Sequence, residues 1–114
     1  HSLGGVNPRL HHGTLNAMFL PAVVRFNAQA ASVQKDRRLE RMASAMGLAS
    51  ATDIPDAIRD MSARLGLPTG LAAMGVTEDQ FDAIIQGAMA DHCHKTNPRV
   101  ATPEEYRAML RESL

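Results

Sequence analysis

The side chains best suited to chemistry are five imidazoles and one thiol, and they fall in two short clusters. HSLGGVNPRLHHG, at the start, holds His1, His11 and His12; DHCHK, far along the chain, holds His92, Cys93 and His94. Neutral imidazole is the commonest metal ligand and carries protons near neutral pH. His12 directly precedes Gly13, where a helical pattern begins. The partial positive charge of a helix start favours an imidazole that offers a lone pair, and Gly13 leaves room for a ligand or metal ion to approach. The plainer reading of the same residues is a His-rich arm or the remnant of an affinity tag, since three His in a loop form a weaker pattern than spaced CxxC pairs. In the second cluster, adjacent helical residues point about 100° apart and cannot share one metal ion from a regular helix. Polar residues at a fraying helix end are the plainer reading there. Asn97-Pro98-Arg99 reads as a helix stop, with Arg99 available to an acidic partner.

The elements that must position these groups are helices. Leu15, Met18, Phe19, Ala22, Val23 and Phe26 recur at helical spacing from Gly13 onward, with Pro21 inside the run as an expected kink. Ser32 is a possible cap for a second helix, with Leu39, Met42, Ala43 and Met46 on its stripe and Gly47 as its stop. A third helix is expected from Asp53 to Leu65, ended by Gly66. Thr77-Glu78-Asp79-Gln80 fits a capping box for a fourth, running to about Cys93. Thr102-Pro103-Glu104-Glu105 opens the last, with Tyr106, Met109 and Leu110 facing inward. Residues 1–12 read as loop, because Gly4, Gly5, Asn7 and Pro8 break any period. No segment alternates like a strand. The fold class is therefore all-α, a bundle of about five helices.

Composition bounds the possibilities. The 114 residues suit one domain, and 45% are hydrophobic with only 4% aromatic, which predicts an aliphatic core. Twelve basic residues balance twelve acidic ones, which argues against nucleic acid and anionic membrane as partners. No apolar run approaches the roughly 20 residues of a membrane span. Cys93 is the single cysteine, so no internal disulfide can form, and a cytoplasmic location is expected. The chain opens without Met and without a signal-peptide pattern, as a processed form or a piece of a longer protein would.

Three stretches resemble a known family. His1-Ser2-Leu3-Gly4-Gly5, then His12-Gly13-Thr14-Leu15-Asn16-Ala17, then Leu20-Pro21 look like the start of the C-terminal helical domain of iron-containing alcohol dehydrogenases. Asp91-His92-Cys93, Asn97-Pro98-Arg99 and Ala101-Thr102 are similar to that family's closing motif. The resemblance implies a dehydroquinate-synthase-like fold, with residues 1–114 as the helical metal-site domain. The N-terminal nucleotide-binding domain would lie outside this chain. It implies a catalytic Fe2+ or Zn2+ in the cleft between the domains, held by an Asp and three His, with NAD or NADP as hydride carrier and an alcohol or aldehyde as substrate. His12 matches the last metal-binding His; His11 takes that place if the register shifts by one, since it stands where Pro is usual. His1 matches a non-ligand His near the nicotinamide that can relay a proton. Cys93 matches a position lining the substrate channel. A homodimer is implied too.

Two other functions compete with the alcohol dehydrogenase reading. One is a maleylacetate reductase or hydroxy-acid dehydrogenase of the same superfamily, sharing the H-x-L-G-G start. The other is a free-standing helical interaction module with an incidental His cluster. A domain that docks on another is expected to bare an apolar patch near residues 1–20, whereas a self-sufficient module is expected to have a closed polar surface.

Overall fold

The longest apolar stripe of the sequence becomes the central helix. In the computed structural model, which describes residues 1–114, this helix spans His12–Asn27 and buries Leu15, Met18, Ala22, Val24 and Phe26. Six further α-helices surround it. In chain order the set is α1 (Ser2–Val6), α2 (His12–Asn27), α3 (Ala31–Lys35), α4 (Arg38–Ala45), α5 (Ile54–Arg64), α6 (Phe81–Ala90) and α7 (Pro103–Glu112). No residue lies in a strand, as the all-α reading requires. The whole measures 37 × 32 × 19 Å. Its thinnest dimension is about two helix diameters, so the helices form two layers.

The apolar side chains form three clusters, and α2 contributes to each. Leu15 and Met18 join Leu3, Leu71, Val76, Phe81, Ile84, Ile85 and Leu110. Ala22 and Phe26 pack with Ala101 and Met109. Val24 reaches the opposite side, to Ala43, Ile54 and Ile58. Pro21 sits inside α2 without ending it.

Local signals account for several helix ends. Both expected capping boxes form: Thr77 with Gln80, ahead of α6, and Thr102 with Glu105, at the start of α7. Gly47 and Gly66 follow α4 and α5 with positive φ, where only glycine escapes a steric penalty.

Four local expectations are corrected. Residues 1–12 are not all loop, because Ser2–Val6 is helical with Leu3 buried against α6. That packing outweighs the poor helix propensity of Gly4 and Gly5. The second helix is two, α3 and α4, divided where Arg37 takes the left-handed conformation at φ 48°. Ala30, not Ser32, is the N-cap of α3. The fourth helix ends at Ala90, and His92–Lys95 forms a separate 3₁₀ turn.

Candidate active site

Helices α1 and α6 bring the two reactive clusters together. An added Cβ at Gly87 would lie 2.7 Å from the hydroxyl oxygen of Ser2, so the absence of a side chain there lets α1 lie close on α6. The Ser2 hydroxyl donates to the carbonyl of Ile84, which locks the pair. His1 is the N-cap residue of α1, and Asp91 directly follows α6. This packing therefore sets His1 beside Asp91, across 90 positions of sequence.

Asp91 caps the 3₁₀ turn of His92–Lys95. Its Oδ1 accepts the backbone N–H of Cys93 at 2.8 Å, and its Oδ2 lies 3.1 Å from Nδ1 of His1. The Cys93 N–H is the main cause holding the Asp91 carboxyl below the usual carboxylate range; the Cys93 thiol and His92 add to it. The same interaction acts oppositely on the thiol. Hydrogen bonding to Asp91, with partial desolvation and the negative charge, pushes the Cys93 thiol up from its ordinary value. Sγ of Cys93 stands 3.9 Å from Nδ1 of His1 and 3.5 Å from Nε2 of His92. Donor atoms of His1, Asp91 and Cys93 lie within 4.8 Å of one another, but Asp91 already accepts hydrogen bonds from both neighbours.

The rings stack at the same point. His12 lies on His1 with centroids 5.2 Å apart and planes 15° apart, and His92 flanks His1 at 6.4 Å. Nε2 of His12 is 3.1 Å from the Asn16 amide nitrogen. An amide N–H can only donate, so the Nε2 lone pair accepts in this contact, and a metal ion on Nε2 would take the place of the Asn16 amide. His12 is exposed, at the first position of α2. The chain thus offers one exposed imidazole here, which fits a metal ion whose other ligands come from elsewhere once the Asn16 amide is displaced.

The remaining candidates separate cleanly. His11 does not join the stack. Its ring lies over Gly13, where an added Cβ would be 3.2 Å away, and its Nδ1 is 3.5 Å from the Thr14 hydroxyl. The space at Gly13 therefore holds the His11 ring. His94 turns inward, is buried, and meets the Tyr106 hydroxyl at 2.9 Å. Burial raises the Tyr106 phenol above its ordinary value, with a smaller contribution from Asp91. Arg99 is engaged within the chain. It pairs with Glu105, reaches the Phe26 carbonyl at 3.3 Å and lies 4.0 Å over the Phe26 ring. Asn97 and Asn27 exchange amide hydrogen bonds at 2.7 and 3.1 Å. The Asn97-Pro98-Arg99 stretch therefore ties the end of α2 to the start of α7.

Behind the stacked rings opens a cavity of about 300 Å³. His1, Asp91 and Cys93 stand at its polar side, and Phe19, Val23, Ile84, Ile85, Ala88 and Met109 give it apolar walls. It can take a short aliphatic chain whose polar end meets His1. Sequence reasoning assigned no role to Asp91. The cue was present, since an Asp two residues ahead of a turn amide is a capping pattern, but its pairing with His1 depends on tertiary structure.

Large apolar side chains are exposed in several parts of the chain, Met89 and Val100 among them. Val6 and Leu20 are exposed within residues 1–20, while Met42, Met46, Met61 and Leu65 are exposed on or beside α4 and α5. No helix is long and apolar enough to cross a membrane.

Comparison with known proteins adds four relationships. The family model described as "Fe-containing alcohol dehydrogenase family, C-terminal" matches residues 1–114. The 4-hydroxybutyrate dehydrogenase of Cupriavidus necator is 55% identical over 118 residues, covering 100% of this chain and 31% of that protein. The NAD-dependent methanol dehydrogenase of Bacillus methanolicus is 30% identical over 122 residues, with 100% and 31% covered. A crystal structure of 1,3-propanediol oxidoreductase superposes with a TM-score of 0.78 at 32% identity, covering 100% of this chain and 31% of the other. The chain thus spans 31% of the length of each of these relatives.

Proposed function

Because the chain belongs to the Fe-containing alcohol dehydrogenase family over its whole length, we propose that it is the C-terminal part of an NAD(P)-dependent, metal-dependent alcohol dehydrogenase. The observation that carries this reading is the His12–His1 stack at 5.2 Å beside an apolar cavity. It sets two imidazoles side by side, one suited to metal binding and one to proton transfer.

His12 is the residue of this chain that would hold the metal ion, through Nε2 in place of the Asn16 amide; its partners, an Asp and two His, would lie in the preceding nucleotide-binding domain. Between His11 and His12, the stack favours His12. A bound Fe2+ or Zn2+ supplies Lewis acidity to the substrate oxygen, which eases departure of the α-hydride to nicotinamide. The chain's own residues do the rest. The apolar walls around Phe19 and Ile85 bind the carbon chain and exclude water. His1 carries the hydroxyl proton away during oxidation and returns it during aldehyde reduction. Cys93 lines the channel and shapes access, with its thiol protonated.

One observation favours a narrower substrate class. The 55% identity to a 4-hydroxybutyrate dehydrogenase points to a hydroxy acid, an alcohol that bears a carboxylate on its other end. Relative kcat/KM on 4-hydroxybutyrate and on 1-propanol, measured with the full-length enzyme, separates the two classes.

The role of His12 is tested by His12→Ala in the full-length enzyme. We expect elemental analysis to show loss of bound metal, and the rate to fall with it. Unchanged metal stoichiometry removes His12 from the site.

A further inference from the structure

The contact between Asp91 and His1 restricts where the imidazole can carry its hydrogen. A carboxylate has no hydrogen to donate, so Nδ1 of His1 must supply the one in the 3.1 Å contact with Oδ2. A neutral imidazole has one N–H. With that hydrogen on Nδ1, Nε2 is left bare. We propose that Asp91 is a positioning residue that fixes this tautomer of His1, leaving Nε2 as the atom that takes up and returns the substrate proton. The second half of this statement rests on the proton-relay reading of His1 given above; the first half does not.

Three features support the assignment. Asp91 is anchored from behind, because its Oδ1 accepts a backbone N–H that cannot move away, that of Cys93 at 2.8 Å. That same bond keeps the carboxyl ionised and acceptor-only. The ring plane of His1 is set independently, by the stack on His12 with planes 15° apart. Tautomer and orientation therefore have separate causes. An Nδ1–H orientation bond of this kind is a general device for holding a catalytic imidazole. The sulfur of Cys93 is the more distant neighbour of Nδ1, at 3.9 Å against 3.1 Å for the carboxylate.

Asparagine at this position would reverse the tautomer. Asn has one acceptor oxygen, and the fixed Cys93 N–H takes it. The NH2 group then faces Nδ1 and can only donate, so Nδ1 becomes bare and the hydrogen moves to Nε2. Asp91→Glu keeps two acceptor oxygens and is expected to preserve the original tautomer in part.

The experiment uses the full-length enzyme with diamagnetic Zn2+ and ¹⁵N-labelled histidine. The His1 signal is identified by its loss in His1→Asn. In the wild type, ¹⁵N shifts should report a bare Nε2. In Asp91→Asn they should report the hydrogen on Nε2, and kcat should fall about 10²–10⁴-fold with KM little changed. Asp91→Glu should recover a substantial part of kcat. A wild-type His1 with its hydrogen on Nε2 overturns the proposal without any Asp91 variant. So does an unaltered tautomer in Asp91→Asn. An inverted tautomer with unchanged kcat upholds Asp91 as the positioning group and rejects His1 as the proton relay.

Discussion

A single carboxylate organises the reactive corner of this protein. Asp91 accepts from the Cys93 backbone, raises the pKa of the Cys93 thiol and faces His1. One consequence concerns the thiol. Only the thiolate is alkylated, and a raised pKa lowers the thiolate fraction at any given pH. Iodoacetamide should therefore label Cys93 more slowly than a free thiol near pH 8, and the rate should rise only at higher pH. Asp91→Asn removes the charge that opposes thiolate formation, so its labelling curve should shift to lower pH; coincident rate–pH curves for the two proteins would contradict this. At this scale the sequence was partly legible. His1, His12 and Cys93 stood out through their neighbours in two motifs. Asp91 and Tyr106 did not, because their roles depend on partners 90 and 12 positions away. Periodicity placed Tyr106 on an inward face and had nothing to say about its hydroxyl.

Between elements, the close approach of α1 to α6 decides whether the site exists at all. Gly87→Ala would drive a methyl group against the Ser2 hydroxyl, which is already committed to the Ile84 carbonyl. Overpacking of this sort costs about 1–3 kcal/mol. The expected result in the full-length enzyme is a fall in kcat larger than the loss in thermal midpoint would explain, since α1 carries His1. Ser2→Ala combined with Gly87→Ala should relieve the crowding and recover part of both, and equal activity of the single and double variants would argue against this account. Elements whose ends are written in local chemistry could be read directly: the capping boxes at Thr77 and Thr102, and the glycines after α4 and α5. Helix α1 could not, because its glycines are poor helix formers and the packing of Leu3 holds it together. The break at Arg37 was hidden as well, since no glycine or proline marks it.

In the molecule as a whole, three modest clusters replace one large core, and they differ in weight. Phe81 is fully buried in the largest, so Phe81→Ala should destabilise by about 3–5 kcal/mol, read from the denaturant midpoint. The cluster of Val24, Ala43, Ile54 and Ile58 is smaller and lies apart, so amides of α3 and α4 should exchange with solvent before those of α6 and α7. Exchange at equal rates would show that the clusters open together. What joins them is α2, sixteen residues long, with His12 at one end and Phe26 near the other. Such a rod is about 24 Å long. If its Phe26 end is the fulcrum, a tilt of about 5° swings the opposite tip through about 2 Å, well beyond the roughly 0.5 Å within which a constellation of this kind must be held. The anchorage of Phe26 by Arg99, Glu105 and Met109 thus works as a distant aiming device for an imidazole it never touches.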